Sequence, residues 1–332
     1  MNILYYPIFG FVWLLSLIPL RGLYLLSDFI CLILYRVAGY RVALVRKHLE
    51  DCFPEKSAEE RKVIEKGFYH WFCDYLVETL KLLSISRREM RRRMVFYDAH
   101  LVDEAVERGQ SCALYLGHYC NWEWVSSLLL WFKSNAKGGQ IYHVLENKIF
   151  DRLFIHLRQR MGVLCIPMAE TLRRLAYYRQ QQQPVIVGYI SDQVPFWNNI
   201  HHWCQFLNHD TPVLTGTERL VRSANHAVFY VDLHRIRRGY YEGTFKPITM
   251  EPKKMDEFEI TDIYFRMLEE SIRRDPACYL WTHNRWKRTR EEFNLRYDET
   301  TGRVDIISSV EELKKRREER GKRREESDLR TR

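Results

Sequence analysis

The stretch of sequence that decides the fold reads Ala113-Leu114-Tyr115-Leu116-Gly117-His118-Tyr119-Cys120-Asn121-Trp122-Glu123. Its apolar start favours a buried strand over 112–116, and Gly117 ends that strand. The apolar run 122–132 favours a helix, for which Asn121 has the side chain of an N-cap. We therefore expect His118 in a turn between a strand and a helix, with Glu123 in the first helical turn.

His118 and Glu123 together form a candidate acid–base pair. A turn allows the carboxylate of Glu123 to swing back to the imidazole of His118. A carboxylate beside an imidazole fixes its tautomer and stabilises its charged form, so that the other ring nitrogen can accept a proton from a hydroxyl. A histidine and a glutamate five residues apart more often serve a structural role. The setting favours catalysis, because sites in α/β folds lie at the carboxyl ends of strands.

Strands and helices alternate along the centre of the chain. The predicted strands are 112–116, 140–144, 163–166 and 185–190, and the predicted helices are 122–132, 148–161 and 169–181. This order predicts an α/β fold with a mainly parallel central sheet and flanking helices.

Further elements surround this alternating region. Ser57 to Glu60 match a capping box that opens a long amphipathic helix to about Leu83. The other predictions are a helix 99–108 closed by Gly109, an antiparallel hairpin of strands 227–235 and 241–247, a helix 261–274 and a last strand 278–281.

The amino terminus is the most apolar part of the chain. Residues 3–20 carry no charge, and a helix of that length is ~27 Å long, close to the ~30 Å hydrocarbon thickness of a bilayer. Pro7, Gly10 and Pro19 interrupt the run, so a spanning helix, a hairpin and an interfacial segment all remain open. We expect an amino-terminal hydrophobic membrane helix as an anchor.

Positive charge follows this anchor at Arg36, Arg41, Arg46 and Lys47. The positive-inside rule then places the body of the protein on the cytoplasmic side of the membrane. We expect three parts: a membrane anchor over 1–40, one α/β domain over 41–305 and a charged tail over 306–332, either a solvated helix or disordered.

Composition narrows the class of partner. The formal net charge is +9, which suits an acidic partner such as phospholipid head groups, nucleic acid or an acidic carrier protein. No nucleic-acid-binding motif is present, so nucleic acid is the weakest of these. The eight cysteines form no CxxC pair, which is typical of small buried side chains in a reducing compartment.

Polar residues that follow the other strands are further candidates. Asn147 and Asp151 begin the helix after strand 140–144, and Arg158 lies further along it. An arginine aimed at a carbonyl stabilises the oxyanion of acyl transfer, although Arg158 could equally be a solvated helix charge. Asp192 follows strand 185–190 at the same sheet edge as His118, where a loop turn is the structural alternative.

A cluster of histidines raises the possibility of a metal site. It comprises His201, His202, Cys204, His209 and Asp210. Adjacent histidines in a strand project in opposite directions, and the spacing fits no common zinc signature. The sequence also lacks a P-loop, a GxGxxG motif and a GxSxG elbow.

Several of these segments together resemble the bacterial lipid A late acyltransferases, the lauroyl/myristoyl transferase family, particularly its Bacteroidetes-like members. His118 to Glu123 match the HX4(D/E) motif of that family, which glycerolipid acyltransferases share. The resemblance covers most of the chain and extends through Tyr142…Asn147-Lys148…Asp151, Arg158…Gly162, Ser191-Asp192-Gln193 and Tyr279-Leu280-Trp281-Thr282-His283-Asn284-Arg285-Trp286-Lys287.

The resemblance implies a role for each matching position. His118 matches the general base and Glu123 the acid that orients it. Arg158 matches the arginine that stabilises the oxyanion, with Arg160 as the alternative, and Asp192 matches an acidic site residue that positions other groups. Substrate binding is expected of Asn121, Asn147, Asp151, Arg160 and Gln193.

The resemblance also implies the reaction. The family moves a fatty acyl group from acyl carrier protein to a hydroxyl of a lipid A precursor at the cytoplasmic face of the inner membrane, and no metal or nucleotide cofactor is expected. Three alternatives remain: another membrane lipid as acceptor, a membrane-bound metal-dependent hydrolase that uses His118 and the histidine cluster, and a scaffold without catalysis.

Overall fold

The computed structural model describes residues 4–319. Its α-helices are α1 (Tyr5–Leu17), α2 (Leu20–Cys31), α3 (Val42–Cys52), α4 (Ala58–Lys81), α5 (Arg87–Arg93), α6 (Ala99–Glu107), α7 (Lys148–Gln159), α8 (Thr171–Gln180), α9 (Gly216–Ala224), α10 (Glu259–Arg274) and α11 (Arg290–Arg296). A π-helical segment, Leu32–Val37, continues α2, and residues 310–319 are helical.

The strands are β1 (Met94–Tyr97), β2 (Cys112–Leu116), β3 (Lys137–Tyr142), β4 (Leu164–Pro167), β5 (Val185–Ile190), β6 (His202–Phe206), β7 (His209–Val213), β8 (Ala227–Arg237), β9 (Tyr240–Thr249), β10 (Tyr297–Asp298) and β11 (Arg303–Val304). Short 3₁₀ helices occupy Trp124–Leu130, Met168–Glu170, Trp197–Asn199, Pro252–Lys254 and Pro276–Cys278.

A seven-stranded sheet forms the centre of the molecule, in the order β1-β9-β8-β2-β5-β3-β4. Every neighbouring pair is parallel except β8 and β9, which form the predicted antiparallel hairpin. The predicted mixed α/β fold with a mainly parallel sheet is therefore confirmed. All five residues of β2 are buried, as expected for a central strand covered on both faces.

The register of β2 and β5 determines where the candidate site lies. Leu116 pairs with Ile190 at the ends of these two parallel strands. Residues that follow at equal distances therefore emerge side by side at the carboxyl edge of the sheet. The second residue beyond β2 is His118, and the second residue beyond β5 is Asp192.

One prediction of local structure is correct only in part, and another is wrong. The run after Asn121 is helical over Trp124–Leu130, but as a 3₁₀ helix, in which Ser126 bonds through both its backbone N–H and its hydroxyl to the carbonyl of Glu123. The expected strand 278–281 is absent. Its residues instead hold the turn after β2, where Cys120 N–H donates to Cys278 O and Leu280 N–H donates to His118 O.

The long amphipathic helix begins where the sequence predicts. Ser57 accepts from the backbone of Glu60, and the carboxylate of Glu60 accepts from the backbone of Ser57, which completes the capping box of α4. Gly109 has a φ of 77° directly after the predicted helix α6, a conformation that glycine adopts without steric cost.

The apolar amino terminus folds into two helices, α1 and α2 with its continuation, which bend by 112° at Pro19. Within residues 4–319, no single helix is both long and apolar enough to cross a membrane, and this bent pair meets that standard only when taken together. The single membrane helix expected over 1–40 therefore stays a prediction. So do the domain boundaries and the tail, of which residues 320–332 lie outside the described part.

Candidate active site

The turn after β2 and the turn after β5 bring His118 and Asp192 together. Nδ1 of His118 lies 2.6 Å from Oδ1 of Asp192, and the backbone N–H of His118 donates to Oδ2 at 3.0 Å. The carboxylate therefore holds both the ring and the main chain of the histidine. Because the two residues are 74 positions apart, only the parallel pairing of β2 with β5 creates this contact.

Asp192 is ionised in this setting. Its side chain is 2 % exposed, and burial alone would raise its pKa. The positive potential and hydrogen bonds of His118, with a further contribution from the Arg285 guanidinium, outweigh burial and lower the pKa of Asp192 below its ordinary value. A carboxylate that stays charged stabilises the imidazolium that forms when the ring takes up a proton.

The second ring nitrogen of His118 faces a third residue. Nε2 of His118 lies 3.2 Å from Nε2 of Gln193, the amide nitrogen. The tautomer that satisfies both contacts carries its proton on Nδ1, toward Asp192, and accepts at Nε2 from the amide. Nε2 is thus the basic nitrogen, and Gln193 occupies the direction from which a substrate hydroxyl would donate.

The predicted contact between Glu123 and the ring of His118 is wrong. Glu123 accepts from Nε and Nη2 of Arg158 at 2.7 and 2.5 Å, and more weakly from the Tyr75 hydroxyl at 3.5 Å. Cys120, with a φ of 51°, turns the chain so that Glu123 faces α7 instead. The acid that orients the imidazole is Asp192, while Glu123 orients an arginine.

Arg158 is a fixed cation beside the turn. Burial would lower the pKa of its guanidinium, but the hydrogen bonds and charge of Glu123 raise it further above its ordinary value. Nε and Nη2 both serve Glu123, which leaves Nη1 for a substrate oxygen. The side chain is 21 % exposed, so it remains within reach of a ligand at the sheet edge.

Two aromatic rings support the histidine. Trp122 meets the His118 ring edge to face with centroids 5.1 Å apart, and it lies 4.1 Å from the Tyr75 ring. No role was predicted from the sequence for either Trp122 or Tyr75. The sequence signal that could have identified Trp122 is its position between His118 and Glu123.

Asn121 and Arg160 serve the protein itself. Asn121 is fully buried, where its Oδ1 accepts from Trp124 N–H and its amide donates to Glu78. Nη1 of Arg160 donates to the carbonyls of Leu82 and Ile85. Arg160 contacts neither His118 nor Glu123 in the described part of the chain, so Arg158 is the better placed of the two arginines.

Asn147 and Asp151 lie at the start of α7. Asn147 is exposed and caps the helix by accepting from the backbone of Ile149 and Phe150. Asp151 accepts from the backbone of Leu145. Of the expected substrate-binding residues, the structure therefore brings only Gln193 into contact with His118.

The segment after residue 279 supplies a buried cation that sequence reasoning left without a role. Arg285 is 1 % exposed and donates from Nη2 to Pro212 O, while its Nε and Nη1 have no partner among residues 4–319. Burial lowers its pKa, and Asp192 opposes that shift. Nearby, burial lowers the pKa of His283 to about 4, so this imidazole is neutral at pH 7.

The histidines considered for a metal site make separate contacts in the structure. His202 pairs with Asp262 at 2.7 Å and stacks on Phe258, and His209 stacks on Trp286. Over residues 4–319, no three histidine, cysteine or acidic side chains are grouped so that they could hold a metal ion.

Comparison with known proteins matches residues 2–288 to the family described as "Bacterial lipid A biosynthesis acyltransferase", so the chain belongs to this family. It is 24 % identical over 293 residues to a lipid A biosynthesis lauroyltransferase of Escherichia coli (strain K12), a match that covers 87 % of this chain and 92 % of that enzyme. An adenylosuccinate synthetase of Talaromyces marneffei is 26 % identical over 128 residues, which cover 37 % of this chain but only 27 % of that enzyme.

The family gives the class of reaction. The chain is an acyltransferase of lipid A biosynthesis, and its acceptor is a lipid.

Proposed function

We propose that this acyltransferase moves a fatty acyl group from the thioester of acyl carrier protein to a hydroxyl of a lipid A precursor. His118 is the general base, Asp192 orients it and Arg158 stabilises the oxyanion. The observation that carries this proposal is the imidazole held at Nδ1 by a buried carboxylate, with Nε2 directed at the neighbouring polar group Gln193.

The reaction balances with these groups alone. Nε2 of His118 takes the proton of the acceptor hydroxyl as its oxygen attacks the thioester carbonyl carbon, and Asp192 stabilises the imidazolium. Arg158 bonds to the carbonyl oxygen as it becomes negative. When the tetrahedral intermediate collapses, the C–S bond breaks and the imidazolium returns its proton to the leaving thiolate, which leaves an ester and a free carrier thiol.

An apolar rim supports a fatty substrate. Large exposed side chains follow the carboxyl ends of β5, β3 and β4, at Phe196, Leu145, Met168 and Leu172. Exposed apolar patches are uncommon on soluble surfaces and often mark a binding groove. A fatty tail is the part of the substrate that such a rim would shield from water.

The acyl donor is supported by fewer observations than the lipid acceptor. Acyl carrier protein is inferred from the family resemblance, and the net charge of +9 suits a strongly acidic carrier. Purified enzyme with matched acyl carrier protein and acyl coenzyme A donors tests this choice. We expect a higher kcat/KM with the carrier protein, and an equal or higher value with coenzyme A would reassign the donor.

The amino-terminal hairpin, defined as residues 4–37 with α1, α2 and the π-helical continuation of α2, supports attachment to the cytoplasmic face of the inner membrane. Its outer side exposes a run of large apolar residues that has no equal elsewhere in residues 4–319. Their exposed members include Leu4, Tyr6, Phe11, Trp13, Leu14, Leu17, Leu25, Phe29, Leu32, Ile33 and Val37. Side chains of this kind, with tryptophan and tyrosine among them, insert into the boundary between head groups and acyl chains.

The inner side of the hairpin is fixed to the body. Ser27 donates to Asp74 at 2.6 Å, and Arg238 at the tip of the β8–β9 hairpin bonds to both Asp74 and Asp28. These contacts hold α2 against α4, so the exposed side is presented outward as one face. We infer that this face lies on one leaflet of the bilayer.

Basic charge lies beside the bend of the hairpin. Lys81 and Ser84 donate to the carbonyl of Ser16 near the end of α1. Helix α5 begins at Arg87, three residues after Ser84. The exposed arginines of α5 are Arg87, Arg88, Arg91 and Arg92. An apolar face beside a basic helix is typical of binding to an anionic lipid surface.

A lipid analysis tests the reaction. Cells that lack this chain should accumulate a lipid A precursor short of one acyl group, and the wild-type gene should restore the missing mass whereas His118→Ala should not. Mass spectrometry of extracted lipids identifies the acceptor and the chain together. If the missing mass belongs to another membrane lipid, the acceptor changes but His118 keeps its role.

Vesicle sedimentation tests the surface. Leu14→Glu with Leu25→Glu should reduce binding to vesicles that contain anionic phospholipid by about tenfold or more, because each charge must leave water. Val63→Glu is the matched control, since Val63 is 70 % exposed on α4. Equal binding by both proteins would remove the hairpin as the docking face.

A further inference from the structure

Glu78 is a buried carboxylate that the proposed mechanism does not use. It lies on α4 with no exposed surface and accepts three hydrogen bonds. The donors are the Tyr24 hydroxyl at 2.8 Å, the Asn121 amide at 2.6 Å and the Tyr241 hydroxyl at 2.8 Å. Three elements that are distant in sequence, α2, the turn after β2 and β9, therefore meet at one side chain.

Glu78 holds the catalytic turn at two points. Its carboxylate binds the amide of Asn121, and its backbone carbonyl accepts from Nε1 of Trp124 at 2.9 Å. Between these two points lie Trp122, which packs on the His118 ring, and Glu123, which binds Arg158. Glu78 therefore fixes the turn on both sides of Trp122 and Glu123.

The same carboxylate reaches the amino-terminal hairpin. Tyr24 lies on α2, and its hydroxyl donates to Oε1 of Glu78, while Asn121 and Tyr241 bind Oε2. A carboxylate can serve these donors together because its two oxygens offer about four acceptor sites. The carboxylate of Glu78 therefore joins α2 and the turn through hydrogen bonds to one side chain.

We propose that Glu78 is a positioning residue for acyl transfer, which fixes the turn Asn121 to Trp124 and ties it to α2 through Tyr24. This inference rests on the proposed reaction. Glu78 has no exposed surface, and among residues 4–319 it makes no hydrogen bond to His118, so it acts through the placement of Trp122 and Glu123. An error of 1 Å in such placement lowers turnover by about 100-fold.

Two substitutions of Glu78 separate positioning from charge. Glu78→Leu removes every acceptor oxygen, and we expect kcat to fall about 10- to 100-fold while KM for both substrates changes less than twofold. Glu78→Gln keeps an oxygen for Asn121 and Tyr241, and its amide can donate to the Tyr24 hydroxyl after that hydroxyl rotates. We expect Glu78→Gln to restore kcat to within about threefold of wild type, the limit set by one weakened hydrogen bond.

A matched pair of tyrosines tests the link to the hairpin without a risk to folding. Tyr35 also belongs to the amino-terminal segment and donates to a buried glutamate of α4, Glu65, at 2.7 Å, but Glu65 has no contact with the catalytic turn in the described structure. Tyr24→Phe should lower kcat about fivefold, the equivalent of one hydrogen bond. Tyr35→Phe should leave kcat unchanged.

The outcomes distinguish this inference from the proposed function. If wild-type enzyme transfers no acyl group, the proposed function fails. If the wild type is active, but Glu78→Leu at equal folded fraction loses kcat less than twofold, or Tyr24→Phe and Tyr35→Phe behave alike, Glu78 is only structural. A rise in KM without loss of kcat would also overturn the positioning role.

Discussion

Two pairs of opposite charge lie at the edge of the sheet, and they differ in their bases. Asp192 holds His118, and Glu123 holds Arg158. Both carboxylates are nearly sealed from water, at 2 and 3 % exposure, and both bases are partly open, at 18 and 21 %. The imidazole has a ring nitrogen that can accept a proton, whereas the guanidinium has donors only.

In the proposed reaction, this difference separates proton transfer from charge stabilisation. In each pair the buried acid has the same task, which is to aim a base and to stabilise its positive form. The identity of the base decides whether the pair moves a proton or only offsets negative charge. Glu123 and Asp192 therefore have the same chemical capability. The fold determines that Asp192 pairs with His118 and that Glu123 pairs with Arg158.

The largest effect is expected from breaking the first pair. Asp192→Asn should lower kcat about 1000-fold or more, because the amide no longer fixes the tautomer or stabilises the imidazolium. Steady-state acyl transfer measures it. The control is Asp103→Asn, which alters a buried carboxylate on α6 that accepts two backbone N–H groups. Asp192→Asn with activity close to that of this control would contradict the pairing.

The second pair is tested by a double-mutant cycle. Arg158→Ala should lower kcat about 100-fold through loss of the oxyanion contact. It should also destabilise the fold by about 3 kcal/mol, because Glu123 is left buried without its partner. Adding Glu123→Gln should recover much of the unfolding free energy in urea titrations but none of the activity. Recovery of both would show that the pair is purely structural.

A smaller effect is expected from the ring that packs on the histidine. Trp122→Leu should lower kcat about tenfold, since His118 keeps Asp192 but loses the edge-to-face contact that fixes its ring. Trp203→Leu, which alters a tryptophan that packs on Phe293, is the control. Similar kinetics of the two proteins would mean that Asp192 alone orients the imidazole.

Glu78 provides a third buried carboxylate to compare with Asp192 and Glu123. Unlike them, it accepts hydrogen bonds only from neutral donors among residues 4–319. Burial raises the pKa of Glu78 from 4.5 to about 7, and the nearby charge of Asp74 contributes less to this rise. A raised acid pKa means that its stabilising contribution is complete below pH 4.5 and is lost as pH rises through 7. For Asp192, whose pKa is lowered, the contribution is lost only as pH falls.

The stability of Glu78→Gln tests this sign. From pH 4.5 to pH 8, the unfolding free energy of the wild type should fall relative to that of Glu78→Gln by about 3 kcal/mol, the equivalent of a shift of some 2.5 pKa units. Urea titrations at both pH values measure the difference. A wild type that gains stability relative to the variant as pH rises would show that the carboxylate is ionised from the start.

The sequence was sufficient for the main features of the fold. Strand–helix alternation predicts the parallel sheet, and the capping box at Ser57 predicts the start of α4, because both depend on local periodicity and local hydrogen bonds. The strand expected over 278–281 fails for the opposite reason. Its apolar pattern is that of a strand, but its backbone pairs with the turn around His118, a contact that no local pattern records.

The candidate site shows the same division. The sequence predicted that His118 and Asp192 share one edge of the sheet, and the structure brings these two residues into contact. Glu123 and Arg158 form a second pair. The pairing among them was wrong, because proximity in sequence favoured Glu123 for His118. Glu78 was missed entirely, since a glutamate in an amphipathic helix is normally solvated.

What the sequence determined by itself is the set of chemical groups and the strands that end beside them. Side-chain identity and the period of the apolar residues are properties of short segments. What only the tertiary structure decided is which acid serves which base. That choice follows from the register of β2 against β5 and from the turn at Cys120, and both arise from contacts between segments about 70 residues or more apart.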